Sequence, residues 1–257
     1  MPSAEPIAVV VAAWTGNPHD YLRGLVASIE EHPAGADFDL FVVANGLDYE
    51  LPPELASSVG EVIVRENVGF NIGAWEEGWR RLTGRTRFLF LQDDCLVKKH
   101  GWLRDFVEVF DAAPACGLVG ENLIRDWNRP WDELFVPAPK TRSARSVSQE
   151  QAARARRYHA QLEAWGIVPG TTARHLTSVV HFTSREVLEA VGGYTVAEEY
   201  EAAIAAEIGF SRKVEAAGYE LRQVGRHIHS RIGHREWPSG GLVNRLRRSV
   251  QKRLGPR

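Results

Sequence analysis

Runs of consecutive apolar residues alternate along this chain with segments whose apolar positions recur every three or four residues, and the two patterns predict strands and helices in turn. Ile7 to Ala13 is wholly apolar and dominated by valine, as expected of a parallel strand buried on both faces. Leu22, Leu25, Val26 and Ile29 then follow at helical spacing up to Glu31. Phe38 to Val43 reads as a second buried strand, Glu61 to Arg65 as a third, and Phe88 to Leu91 as a fourth, with a helix predicted over Ala74 to Leu82. This alternation predicts a doubly wound, mostly parallel α/β sheet flanked by helices, whose ligands bind beyond the carboxyl ends of the strands.

Four polar loops fall on that edge: Trp14-Thr15-Gly16-Asn17-Pro18, Ala44-Asn45-Gly46, the stretch from Asn67 to Gly73, and Gln92-Asp93-Asp94-Cys95. The second half is less regular. Helices are predicted over Trp102 to Phe110, Glu150 to Trp165, Ser184 to Val191 and Ala197 to Ala217, and strands over Gly117 to Val119, Val179 to Thr183 and Glu220 to Val224. Gly192-Gly193-Tyr194 and Gly218 supply residues that tolerate the left-handed backbone at helix ends. Asp126 to Ser148, rich in Trp, Pro and Arg without periodicity, reads as a long functional loop.

A chain of 257 residues, 44% hydrophobic, can bury one large core, so one domain is expected over residues 1–240. The formal net charge of −2 gives no reason to expect nucleic acid as a partner. It conceals a basic end: Arg245, Arg247, Arg248, Lys252, Arg253 and Arg257 stand in a stretch without a single acid. Leu242, Leu246, Val250 and Leu254 lie four apart among these arginines, so residues 241–257 form a basic amphipathic tail that either touches an anionic membrane surface or is a solvated terminal helix. Two cysteines, with no secretory signal and no spanning apolar run, suit a reducing, cytoplasmic setting.

Asp93 and Asp94 put two adjacent carboxylates at the end of an apolar strand, where their repulsion calls for a cation or hydrogen-bond donors. Mg²⁺ or Mn²⁺ takes oxygen ligands and leaves positions open for phosphate, which suits delivery of a diphosphate; a turn capping the next helix is the plainer alternative.

The order of the β1 loop, Asn45-Gly46, Asn67-Val68-Gly69-Phe70-Asn71-Ile72-Gly73, Phe88-Leu89-Phe90-Leu91-Gln92-Asp93-Asp94, Val191-Gly192-Gly193-Tyr194 and Ala217-Gly218-Tyr219 resembles the family 2 glycosyltransferases. That resemblance, over roughly residues 7–235, implies a GT-A fold with a nucleotide-binding half over about 5–120 and an acceptor half over about 121–240. It also implies inverting transfer of a sugar from a nucleoside diphosphate sugar to an acceptor: a glycan, a lipid-linked molecule or a small molecule. Asp94 matches the usual metal ligand, with Gln92 as a polar contact where the family carries Asp or Asn, and Asp93 as a supporting carboxylate. Ala12, Trp14, Thr15, Asn45, Asn67 and Asn71 fall where the donor lies. Ala44 stands where an Asp often contacts the nucleotide base, which puts uracil recognition by that route in doubt; Asn45 and Asp48 are possible substitutes.

Aligning on Ala217-Gly218-Tyr219 places Ala206-Glu207 where the family carries a Glu-Asp pair. Glu207 thus takes the catalytic-base position, and partial burial in an apolar run is expected to raise its pKa. Glu198, Glu199 and Glu201 are rivals, and a solvated helix-face glutamate is the ordinary alternative. His229 and His234 are candidates to complete the metal site, and His227 and His229 would share a face if the last strand continues. Arg226, Arg231 and Arg235 would suit neutralisation of the departing diphosphate. Trp127 and Trp131, in the long loop, could offer flat surfaces to a sugar. Two rival functions remain open. A nucleotidyltransferase would grip a triphosphate with a glycine- and arginine-rich loop after the first strand, where this chain has one glycine and no arginine. A non-catalytic sugar-nucleotide binder would fit Ala44, Gln92 and Ala206.

Overall fold

The computed structural model describes residues 6–138 and 146–235. In chain order the elements are β1 (Ile7–Trp14), α1 (Asp20–Glu31), β2 (Phe38–Asn45), β3 (Glu61–Arg65), α2 (Phe70–Arg81), β4 (Arg87–Gln92), β5 (Cys95–Val97), α3 (Trp102–Asp111), β6 (Cys116–Gly120), α4 (Trp131–Phe135), α5 (Gln149–Ala164), β7 (Val180–Ser184), α6 (Arg185–Ala190), α7 (Tyr200–Ala216), β8 (Glu220–Gln223) and β9 (Ile232–His234). Seven strands form one sheet in the order β3-β2-β1-β4-β7-β6-β8, and β5 pairs with β9 in a separate ribbon. β7 runs antiparallel to both of its neighbours, and the remaining pairs of the large sheet are parallel. This is the mostly parallel α/β architecture that the apolar runs predict.

The continuous apolar strands are buried on both faces because each face carries helices. Val9 and Val11 of β1 pack with Leu25 of α1 and Phe106 of α3 in one cluster. Their neighbours Ala8 and Val10 pack with Trp75 of α2 and Phe210 of α7 in another. A third cluster joins α4 and α5 to the outer side of α7 through Leu134, Leu162 and Ile208. The register aligns the strand ends: Trp14 lies opposite Asn45, Asn45 opposite Arg65, and Ala12 opposite Gln92.

Several sequence expectations are corrected here. Phe70 to Gly73 belong to the first turns of α2, with Gly69 at φ 78° as the residue before it and a Val196 methyl packed against the face where a side chain would project. Trp131 opens α4 inside the long loop and is buried, its indole N–H donating to the Pro169 carbonyl at 3.1 Å, so it serves the core. The stretch after β8 is not a strand: His229 sits at φ 53°, and His227 is exposed while His229 is buried. The amphipathic tail lies outside the described residues. No helix among the described residues is long and apolar enough to cross a membrane.

His181 on β7 is fully buried between Trp75, Tyr194 and Phe210. Burial pushes its imidazole down to about 4, against the pull of the Glu207 carboxylate. An unfolded histidine titrates near ~6.5, so in the window between the two values the unfolded chain takes up a proton that the folded chain refuses. Stability therefore falls as pH drops from about 6.5 toward about 4, by up to ~1.4 kcal/mol per pH unit. Urea unfolding at pH 7.5 and 5 should show a larger loss for the wild type than for His181→Leu; equal losses would exclude this source.

Candidate functional site

At the carboxyl edge of the sheet, β4 ends at Gln92 and the chain turns through Asp93 and Asp94 into β5. Asp93 is 5% exposed. Its backbone N–H donates to Ala12 O at 3.0 Å, and its carboxylate accepts from the Asn17 amide at 2.9 and 3.1 Å and from Trp14 N–H at 3.4 Å. Burial, and then the Asp94 charge, push its carboxyl up to about 6 despite these donors. Tyr49 leans on the same charge: burial first, then Asp93, push its phenol up to about 12. Ala12 is itself buried and reaches this cluster through its backbone.

Asp94 faces the ribbon. β5 and β9 pair antiparallel with Cys95 opposite His234, and this register sets His234 Nε2 2.7 Å from Asp94 Oδ2. Asp94 Oδ1 is buried with no protein partner. The turn before β9 hangs on a further acid, Glu121 at the end of β6, which is fully buried and accepts from the backbone N–H groups of Ser230 at 2.9 Å and of Arg231 and Ile232 at 2.7 Å. Burial raises the Glu121 carboxyl, and the three N–H groups oppose that rise. Sequence reasoning passed Glu121 over, although its signal is that of Asp93: an acid immediately after an apolar strand.

Glu207, in the middle of α7, is 6% exposed. Its Oε2 accepts from Ser178 N–H at 2.5 Å, and its Oε1 lies 3.2 Å from Nε2 of the fully buried His175. Burial pushes its carboxyl up, but His175 and the Ser178 N–H outweigh burial and hold it below the ordinary carboxylate value. The expected rise is thus reversed, because a carboxylate facing donors gains more than desolvation takes away. The Ser178 carbonyl in turn accepts from Gln92 Nε2 and from Asn71 Nδ2, each at 2.7 Å. The two backbone groups of one residue, Ser178, therefore join the acidic strand end, the start of α2 and Glu207.

The other expected site residues divide by burial. Asn45 is 3% exposed, donates to Phe70 O at 2.9 Å and accepts from Arg65 Nη1 at 2.5 Å, so its amide shapes the loop before α2. Asn67 is exposed, Thr15 is half-buried with its N–H on Asn45 O, and Trp14 lays an exposed ring over Gly16. Arg231 is bound to Asp105 at 2.8 Å, and Arg235, whose backbone N–H donates to Asp94 O at 3.1 Å, lays its guanidinium over Tyr21 against α1. Arg226, Glu198, Glu199 and Glu201 are exposed. Trp127 packs its ring 6.2 Å from that of His175.

Among the described residues, no three His, Cys, Asp or Glu side chains converge into a cage for a metal ion. The expected set of Asp94, His229 and His234 is corrected in that respect: Asp94 and His234 meet, and His229 does not close a three-sided site with them. The donors present fit a different kind of binding. A hard divalent ion that takes most of its oxygens from phosphate and water needs few from protein, and Asp94, with one oxygen on His234 and the other buried without a partner, presents such a position.

Glu121→Gln tests how the turn is held, because a carboxamide has one acceptor oxygen where the carboxylate uses two. Amide hydrogen exchange at Ser230, Arg231 and Ile232 should accelerate about ten- to a hundredfold, in line with the ~1–3 kcal/mol cost of an unmet buried group. Unchanged exchange there would refute the assignment.

No protein-family model and no curated protein matches this sequence. Solved structures do match. The mannosyltransferase PcManGT of Pyrobaculum calidifontis, determined with GDP-Man and Mn²⁺, aligns over 86% of this chain with a TM-score of 0.53 at 17% identity. This chain spans 55% of its length. A CMP:2-keto-3-deoxy-manno-octonic acid synthetase complexed with CTP aligns over 85% of this chain and 89% of its own, with a TM-score of 0.46 and 12% identity, too distant to carry weight. At these identities the likeness establishes the fold, and the chain has the GT-A-type, Rossmann-like architecture.

Proposed function

We propose that this protein is a cation-dependent glycosyltransferase that transfers a sugar from a nucleoside diphosphate sugar to an acceptor nucleophile with inversion at the anomeric carbon. The observation that carries the reading is the Asp94 carboxylate at the carboxyl edge of the sheet, half taken by His234 and half buried without a protein partner. The shared architecture with a mannosyltransferase solved with GDP-Man and Mn²⁺ supports it.

In this reading Asp94 and His234 would hold Mn²⁺ or Mg²⁺, with phosphate and water supplying the other ligands, and Asp93, braced by Asn17, would support the turn behind them. When bound, the ion neutralises charge on the departing diphosphate. Trp14, Thr15 and Asn67 bound the donor pocket directly, while Ala12, Asn45, Asn71 and Gln92 position its walls through the bonds described above. Glu207 draws the proton from the acceptor as the nucleophile attacks the face opposite the leaving group. The half from about 121 to 240, with Trp127 near His175, receives the acceptor.

A thermal-shift panel of nucleoside diphosphate sugars and nucleoside triphosphates, each with Mn²⁺, tests the class of donor, because a bound ligand raises the melting temperature by mass action. Stabilisation by a diphosphate sugar is expected; stabilisation by triphosphates alone would favour a nucleotidyltransferase. Asp94→Asn should abolish Mn²⁺-dependent donor binding, and undiminished binding would remove Asp94 from the site. Glu207→Gln should retain donor binding and lower turnover by about a hundredfold or more, within the usual range for loss of a general base; an unchanged rate would clear Glu207 of that role.

A further inference from the structure

Glu207 does not act on its own here. Burial by itself would raise its carboxyl, and it is held below the ordinary range only where the facing His175 carries a proton, with the Ser178 N–H assisting. A base that has to take a proton near neutral pH works best with an affinity near that pH. Its immediate neighbour explains where the proton can go.

His175 is 0% exposed, and its Nδ1 lies 2.8 Å from the Ala173 carbonyl. A carbonyl only accepts, so Nδ1 carries the hydrogen, and in the neutral ring Nε2 is left with a lone pair. That lone pair lies 3.2 Å from Glu207 Oε1, a contact of proximity rather than of well-aligned hydrogen bonding. Two lone pairs facing each other in a fully buried site repel, and one proton between them turns the repulsion into a charge-assisted bond. Tyr158 on α5 and His181 on β7 are the titratable groups whose charges couple to the pair, and the Trp127 ring lies 6.2 Å from that of His175. Burial leaves His181 neutral above about pH 4, so it does not compete for the proton near neutrality.

We propose that His175 is the proton-holding partner of Glu207, so that the unit which accepts the acceptor's proton is the pair rather than the carboxylate by itself. The inference rests on the glycosyltransferase reading for its chemistry. The acceptor oxygen–hydrogen bond breaks as that oxygen bonds to the anomeric carbon, and the anomeric carbon–phosphate oxygen bond breaks with its electrons leaving on the nucleoside diphosphate. The proton passes to the Glu207 carboxylate and comes to rest between Oε1 and Nε2, largely on the imidazole. It leaves to water when the product departs, and no oxidant or reductant takes part. His175 touches no reacting atom in this scheme and is a positioning residue.

The decisive measurement needs no substrate. In the full chain labelled with ¹⁵N-histidine, the His175 resonances, identified by their loss in His175→Gln, should show Nδ1 protonated and Nε2 sharing a proton with the facing carboxylate. Glu207→Gln removes the anion that faces Nε2, so the Nε2 resonance should move to the position of a bare ring nitrogen while Nδ1 stays protonated. An unmoved Nε2 resonance in Glu207→Gln, or a proton on Nε2 with Nδ1 bare, would overturn the pairing. In turnover, His175→Gln should lower kcat at least about tenfold, shift the acidic limb of the kcat profile and leave donor affinity intact; a wild-type kcat and profile would overturn the role. A wild-type protein that transfers no sugar from any donor would sink the reaction assigned above, while the nitrogen spectra would still decide the pairing.

Discussion

The backbone of Ser178 is the constraint on which the site's geometry depends. Its N–H is taken by Glu207 from α7, and its carbonyl by Gln92 from the end of β4 and Asn71 from α2. Ser178 lies just before β7, the strand that runs antiparallel beside β4, so a reversal of strand direction in the middle of the sheet brings a loop to the acidic strand end. A parallel strand there would start at the opposite edge. The distance between the acidic pair and Glu207 is thereby set by hydrogen bonds on the N–H and the carbonyl of one residue and not by the packing of α7 alone.

Four buried or half-buried acids surround this edge, and each has its charge met differently. Glu121 spends both oxygens on backbone donors and becomes part of the scaffold for the turn before β9. Glu207 has one backbone donor and one imidazole. Asp93 has an amide and a backbone N–H, too little to offset burial and the neighbouring charge, so its carboxyl stays raised. Asp94 keeps one oxygen without a partner. The gradient runs from structural to chemically available, since a carboxylate whose lone pairs are filled by the fold has little left for a ligand.

The same gradient explains which parts were legible in the chain. Valine-rich runs and helical spacing betrayed the strands and helices because burial on both faces of a parallel sheet imposes unbroken apolarity. Asp93 and Asp94 stood out because acids seldom end such runs. Phe70 to Gly73 read as loop because glycines and asparagines carry turn chemistry, whereas the structure opens α2 there, with Gly69 at positive φ before it and Val196 against the face where a side chain would project. The short strands β5 and β9, three residues each, carry too little periodicity to be seen, yet their pairing across 139 positions between Cys95 and His234 sets His234 on Asp94. His227 and His229 were expected on one face, and a positive φ at His229 breaks the alternation on which that expectation stood.

By itself, then, the sequence determined the layered α/β architecture, the sheet edge on which the polar loops collect and the presence of an acidic pair there, because each is written in local patterns of apolar and charged residues. Only the tertiary structure decided which acids are spent and which are available, that Glu207 has His175 as its partner, and that Asn45 and Arg231 serve the scaffold. Those properties depend on donors brought from distant segments, and no local pattern records which backbone amide or imidazole will arrive beside a given carboxylate.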